Sequence, residues 1–403
     1  MVPTIVTGMG VVSTAGFDLE GFWRTLEAGN ITYGEIEDFK ENSNYRITIG
    51  AVINDMSWNR NVPEDIQKYF GKAANYAVSA ANSALEDAGL KPGYLPEGRT
   101  AVILGTTMGE IQAEEQITRL ISKSGMECVP DTLFRQYRTD NIGKALSLAF
   151  GIKGPVYTIS AACAAGNYAI ALGKRLIEWD IADIAITGGV DVFSQVAFTG
   201  FQRLLSLAPD ACRPFDLNRK GLVVGEGCGV LILERENWRK DREFDAYGSI
   251  VGSGLASDRY HMTSPHPAGD GAIRAVKQSL NEAGLRPGQI DYISAHGTGT
   301  KANDRIEIQA LIEVFRNSNI PPTSSIKSML GHSMGAAGAL ELIASFLMLK
   351  NSRMLPTVNY TTPDPDCPVD CVPNKARKRE MRFILSNSFA FGGQASSIII
   401  SRR

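Results

Sequence analysis

A cysteine, two histidines and a lysine stand in glycine-flanked segments of this 403-residue chain, in the order Cys163, His296, Lys327, His332. Cys163 lies in Tyr157-Thr158-Ile159-Ser160-Ala161-Ala162-Cys163-Ala164-Ala165-Gly166, where a β-type run meets a helix of small residues. A thiol at that junction is expected to be exposed on a sharp turn and to face the positive end of a helix dipole. Both effects favour the thiolate, which is the nucleophile. On this segment alone, a small buried structural cysteine is an equal alternative. His296 ends the buried strand Tyr292-Ile293-Ser294-Ala295 and opens Gly297-Thr298-Gly299-Thr300, a loop with hydroxyls beside an imidazole, suited to acid–base work. Lys327 and His332 stand five positions apart in Ser324 to Gly338, at a strand-to-helix transition. The chain has only four histidines, and two of them sit in such turns. Asn387-Ser388-Phe389-Ala390-Phe391-Gly392-Gly393 is a glycine turn bearing aromatics, where a backbone N–H could point into a site. No helical His-x3-His pair or clustered carboxylate accompanies the histidines, so no metal is expected.

These turns need rigid elements to aim them. Ala101-Val102-Ile103-Leu104, Asp183-Ile184-Ala185-Ile186-Thr187 and Tyr292-Ile293-Ser294-Ala295 read as buried strands, each ending near glycine or histidine. Lys72 to Ala88 and Ala272 to Ala283 read as helices between them. Buried strands alternating with helices indicate an α/β layered fold. The most polar junction runs from Glu234 to Arg242, and Ile5-Val6-Thr7-Gly8-Met9-Gly10 is echoed by Ile250-Val251-Gly252-Ser253-Gly254. The two observations together suggest two halves, 1–240 and 241–403.

Composition removes other classes. Lysine plus arginine is 41 and aspartate plus glutamate is 43, a net charge of −2, without the basic excess of a nucleic-acid binder. No apolar run reaches the length of a membrane span. The N-terminus has no signal-peptide pattern, and six cysteines without framework spacing fit a reducing compartment, so a cytoplasmic location is expected. Cys367 and Cys371 read as two unpaired thiols in a loop. The 40 glycines follow no collagen period and sit between aliphatic runs, which excludes disorder.

Cysteine, histidine, lysine and histidine in that order resemble the β-ketoacyl synthases of the thiolase superfamily. The resemblance extends from Val6-Thr7-Gly8-Met9-Gly10 to the C-terminal strand. It includes Cys212-Arg213-Pro214-Phe215-Asp216, Gly225-Glu226-Gly227, Tyr260-His261-Met262-Thr263-Ser264-Pro265, Pro363-Asp364-Pro365 and Val372-Pro373-Asn374. It implies a thiolase fold with duplicated halves in five layers, αβαβα. It also implies a decarboxylative Claisen condensation: Cys163 takes an acyl chain from an acyl carrier protein, and His296 and His332 bind the malonyl thioester and promote loss of its carboxylate. By the same resemblance Lys327 orders the site electrostatically through Glu307, and the backbone N–H groups of Cys163 and Phe391 form an oxyanion hole. Thr298 and Thr300 would hydrogen-bond the pantetheine arm. Phe391 would gate the entrance, with Asp258 to Thr263 as a second mobile loop beside it. Met108 would lie in a turn facing the acyl tunnel, an ordinary core methionine being the alternative.

The Cys-His-His set resembles the elongating branch. Asn303-Asp304-Arg305-Ile306-Glu307 and Ser324-Ser325-Ile326-Lys327-Ser328-Met329 are more similar to type II polyketide ketosynthases than to fatty-acid ones, and Ala390 stands where the fatty-acid enzymes usually carry glycine. A type II polyketide pathway is therefore the expectation, with housekeeping fatty-acid elongation as the alternative. A catalytically minor partner subunit is the alternative of another class. The implied partners are an acyl carrier protein and, for the dimer, either a second copy or a chain-length-factor homologue. The only prosthetic group implied is the phosphopantetheine that carries the substrates. Lys68, Lys72, Arg119, Lys123 and Arg203 are candidates for a basic rim.

Overall fold

The computed structural model describes residues 4–40, 43–236, 238 and 245–402, so the expected junction of the halves at 240 and 241 lies outside the described residues. The ten strands of its main sheet, in chain order, are β1 (Thr4–Ser13), β2 (Thr100–Thr106), β3 (Val156–Ser160), β4 (Ile184–Asp191), β5 (Gly227–Arg235), β6 (Gly248–Ser257), β7 (Tyr292–Ser294), β8 (Thr323–Ser324), β9 (Phe383–Phe389) and β10 (Gln394–Ser401). Across the sheet they run β8-β7-β9-β10-β6-β1-β5-β4-β2-β3. Reading outward from the centre, each half repeats one order: first, fifth, fourth, second and third strand. The halves meet where β1 pairs with β6, at Ile5 with Ser249 and Val6 with Gly248. In each half the fourth, second and third strands are parallel, and the fifth runs antiparallel to both of its neighbours.

Helices α1 (Lys72–Asp87) and α2 (Asn141–Phe150) cover the outer face of the first half. Helices α4 (Asp270–Ala283) and α5 (Lys301–Val314) cover the outer face of the second. Between the two half-sheets lie α3 (Ala165–Glu178) and α6 (Ala337–Asn351), which gives five layers. Strand periodicity divides the core accordingly. Val102, Leu104, Ile186, Val230 and Ile232 face the outer layer of the first half. Ala101, Ile103, Ala185, Leu231 and Leu233 face the central one. In the second half Leu385 and Ile399 point outward, while Ile384, Ile398 and Ile400 point to the centre. A strand covered on both faces needs apolar residues at every position, hence runs such as Val230-Leu231-Ile232-Leu233. The central α6 is buried on every side from Ala337 to Leu349, and carries Glu341 within it.

One close approach explains a glycine. A Cβ on Gly189 in β4 would lie 2.2 Å from the carbonyl oxygen of Gly335, just before α6. Only a hydrogen fits where the central layer meets the sheet.

Candidate active site

Cys163 sits between β3 and α3, in the 3-10 turn Ala162–Ala164. Ala162 has φ of +46°, left-handed for a residue with a side chain, so the turn that aims the thiol is strained. The thiol is not exposed as the sequence suggested: Cys163 is 7% accessible. Burial pushes it up to about 12, with the Lys327 charge and a backbone hydrogen bond pulling it down. Desolvation outweighs the helix terminus here, and the cysteine rests as a thiol.

His296 follows β7. Its backbone N–H donates to Glu307 Oε1 at 2.9 Å, and that of Gly297 to Oε2 at 2.8 Å. Glu307, on α5, thus holds the loop rather than the lysine. Burial pushes its carboxyl up to about 7. Lys327 opens the short helix Lys327–Leu330 after β8. Its Nζ forms an ion pair with Glu341 of α6 and lies 3.4 Å from His296 Nδ1. The expected route from Lys327 through Glu307 is replaced by this pair. An ammonium only donates, so His296 accepts at Nδ1 and carries its own proton on Nε2.

His332 follows Gly331 (φ +69°) and precedes the turn into α6. The His296 and His332 ring centroids are 5.3 Å apart, at 83° to each other. Burial first, and the Lys327 charge second, hold both imidazoles well below the ordinary histidine value. Both are therefore neutral at pH 7. Two neutral imidazoles facing one cavity can donate hydrogen bonds to a developing oxyanion without carrying charge into a dry site.

Cys163, His296 and His332 line one cavity of about 290 Å³, together with Thr298, Thr300, Glu307, Ala390 and Phe391. Thr300 caps α5, accepting from the Asn303 N–H, and its hydroxyl is 3.0 Å from that of Thr298. Ala390 has φ of −137°, ordinary extended backbone, so its methyl group causes no strain. The left-handed positions are Gly392 (φ 81°) and Gly393 (φ 80°). The second loop is tied to this turn: Gly392 N–H donates to Met262 O at 2.7 Å, and Asp258 N–H to Gly393 O at 2.8 Å.

Met108 is not among the residues lining this cavity. It is partly buried against the outer core of the first half, and its N–H donates to Asp191. Lys72 is not a rim charge, because its Nζ lies 3.1 Å from the buried carboxylate of Glu226. Lys68, Arg119, Lys123 and Arg203 are exposed. Three positioning groups escaped the sequence reading. Glu341 is the only charged residue between Gly335 and Leu349. Asp191, at the end of β4, accepts from Thr106 Oγ1 and from the N–H groups of Thr107, Met108 and Gly335, which draws the turns of both halves together. Arg219 forms ion pairs with Asp364 and with Asp304, whose carboxylate also takes the N–H groups of Phe215 and Gly299. Among the described residues no group of three or more His, Cys, Asp or Glu is placed to hold a metal ion, and no helix is long and apolar enough to cross a membrane.

Residues 2–238 match the N-terminal domain, and residues 247–361 the C-terminal domain, of beta-ketoacyl synthase. The chain belongs to the beta-ketoacyl synthase family. It is 35% identical over 400 residues to 3-oxoacyl-[acyl-carrier-protein] synthase 2 of Synechocystis sp., covering 96% of this chain and 95% of that one. It is 31% identical over 405 residues to the synthase 2 of Staphylococcus aureus strain COL, covering 99% and 98%. Among solved structures, a chain of the ishigamide ketosynthase/chain length factor has a TM-score of 0.94 at 35% identity, covering 100% of this chain and 99% of that one. A beta-ketoacyl synthase from Burkholderia phymatum STM815 has a TM-score of 0.94 at 32% identity, covering 100% of both chains. The five layers are thus those of the thiolase fold, and the chain is an enzyme of the carbon–carbon bond-forming acyltransferase class.

Proposed function

We propose that this chain is a β-ketoacyl-ACP synthase that condenses malonyl-ACP with an acyl chain held on Cys163, in a type II polyketide pathway. The observation that carries the reaction is the convergence of Cys163, His296 and His332 on one cavity, with Lys327 behind them. Cys163 sulfur attacks the acyl-ACP thioester; a new S–C bond forms, and the carrier's thiol leaves with the cysteine's proton. Malonyl-ACP then binds, and its thioester oxygen accepts from the two neutral imidazoles. The bond to the carboxylate breaks, CO2 leaves, and the electron pair becomes an enolate that the donors stabilise. The enolate carbon attacks the acyl carbon on Cys163, the S–C bond breaks, and the Cys163 thiol is restored with a proton from the site. The N–H groups of Cys163 and Phe391 are assigned to the oxyanion at both acyl-transfer steps. Thr298 and Thr300 are assigned to the pantetheine arm.

The polyketide reading is supported by likeness to the ishigamide ketosynthase/chain length factor and to a type II PKS ketosynthase solved in complex with its acyl-carrier protein and bound to the hexaketide. The 3-oxoacyl-[acyl-carrier-protein] synthase 2 of Synechocystis sp., at the same 35% identity, supports the alternative of housekeeping elongation. The assigned partners are an acyl carrier protein and either a second copy or a chain-length-factor homologue. The assigned substrates arrive on phosphopantetheine, with no further cofactor, and the six free cysteines fit a cytoplasmic location. The halves are assigned as 1–240 and 241–403.

The test is intact-protein mass spectrometry after incubation with acyl-ACP and malonyl-ACP, with and without a chain-length-factor homologue. The expected result is an acyl adduct on the wild type, none on Cys163→Ala, and β-ketoacyl-ACP product. No adduct from any acyl-ACP would leave the non-catalytic partner subunit as the answer. A β-ketoacyl-ACP product extended by one round only from saturated acyl-ACP, unaffected by the homologue, would favour fatty-acid elongation.

A further inference from the structure

The mouth of the cavity is crossed by two rings. Phe391 is 38% exposed and is followed by Gly392 and Gly393, both at left-handed φ. Its ring centroid lies 5.7 Å from that of Phe201, tilted by 43°. Phe201 lines the same cavity from the last turn of the Gln195–Arg203 helix, which Ser194 caps through the Ala197 N–H. The two rings are held very differently. Phe201 is half-buried and packs on an aromatic cluster that includes Phe39, Phe193 and Phe198, with Leu222 beneath. Phe391 rides a glycine turn whose backbone is hydrogen-bonded on the other side to the 258–263 loop. The turn therefore spans the entrance, tied to one wall by its backbone and to the opposite wall by its ring.

We propose that Phe201 is a positioning residue that sets access to Cys163, by holding Phe391 across the entrance. The inference takes its catalytic meaning from the reading of Cys163 as the acyl acceptor, but the closure itself is measurable without any reaction of acyl groups. A tilted aromatic pair shifts a closed–open equilibrium by about two- to tenfold beyond simple burial. One ring fixed in a buried cluster and the other on a hinge with two left-handed glycines is the arrangement in which that shift falls on the hinge.

The experiment compares the labelling rate of Cys163 by iodoacetamide with that by a maleimide bearing a tail of pantetheine length, read on the Cys163 peptide by mass spectrometry. In Phe201→Ala the maleimide rate is expected to rise about two- to tenfold relative to the iodoacetamide rate. In a Phe391→Ala background the same substitution is expected to add nothing, because its partner is gone. Phe201→Leu keeps apolar volume against Phe198 and loses the ring pair, so it carries the test should the alanine protein unfold. An unchanged rate ratio in a folded Phe201 variant overturns the proposal. So does an equal increment in both backgrounds. Failure of the functional reading looks different: Cys163 labels, the ratio shifts as expected, and no acyl-ACP acylates it.

Discussion

At the scale of single residues, the site is governed by one buried charge pair. Lys327 and Glu341 are both 2% accessible or less, and neither lines the cavity, yet Lys327 touches His296 and lowers the Cys163 thiol. A thiol pushed up to about 12 has a thiolate fraction that grows tenfold per pH unit below that value. Labelling of Cys163 by iodoacetamide in the free enzyme should therefore climb steeply from pH 8 to 10 without a plateau. Replacing Lys327 by Met removes the positive charge, which raises the thiol further. At a fixed pH of 8, Lys327→Met should label Cys163 slower by on the order of tenfold, one pKa unit. An unchanged rate would mean that Lys327 acts only as a strut. The two imidazoles give a second expectation. With both neutral, His296→Ala and His332→Ala should spare transfer of an acyl group to Cys163 far more than they spare malonyl decarboxylation. Separate assays of the two half-reactions check this, and equal losses would count against the oxyanion role.

At the scale of elements, the site is made by how closely backbones approach. The turn bearing Cys163 reaches its place because β4 and the turn before α6 pass each other with no side chain between Gly189 and Gly335. A methyl group on Gly189 would meet a backbone carbonyl, which cannot swing aside as a flexible side chain can. Gly189→Ala should therefore fall at the upper end of overpacking penalties, about 3 kcal/mol or more. Its melting temperature by calorimetry is the readout, and a shift of only a degree would show that the layers can slide. The sequence made these elements legible where its pattern was strongest. The expected strands at 101–104, 183–187 and 292–295 and the helices at 72–88 and 272–283 match elements of the structure closely. The turns bearing Cys163, His296 and His332 were legible too, since glycine and small residues mark them. What the pattern could not convey is pairing across long separations. Glu307 and Glu341 each follow one of the two histidines by about ten positions in sequence. Which of them meets Lys327 depends on α6 being sandwiched between two sheets. Burial of Cys163 was misread for a similar reason: a strand–helix junction looks exposed until a second half-sheet is laid over it.

At the scale of the molecule, duplication explains why the chemistry is divided as it is. The segment Ala161-Ala162-Cys163-Ala164-Ala165-Gly166 recurs in form as Ser333-Met334-Gly335-Ala336-Ala337-Gly338, each leading into a central helix. Ala162 and Met334 share the same left-handed φ, +46° and +48°. One copy of the turn carries the thiol. In the other, Gly335 stands in the cysteine's place, and its N–H bonds Asp191 where a side chain would collide. The repeat leaves one edge of the sheet unusual. Strand β3 ends the sheet, and Val156 and Tyr157 on it are 38% and 44% exposed, whereas strands β1, β2, β4 and β5 of the same half are buried almost throughout. A strand edge with apolar side chains is a template for pairing with another chain. The proposed dimer, whether with a second copy or with a homologous subunit, is expected to close over β3. Tyr157→Asp places a charge there. Light scattering should find the wild type at twice the 43.6 kDa chain mass, alone or with its homologue, and the variant at the mass of one chain. Cys163 lies three residues beyond the end of β3. The same variant should therefore lose acylation along with the dimer, and a fully dimeric or fully active Tyr157→Asp protein would move the interface elsewhere.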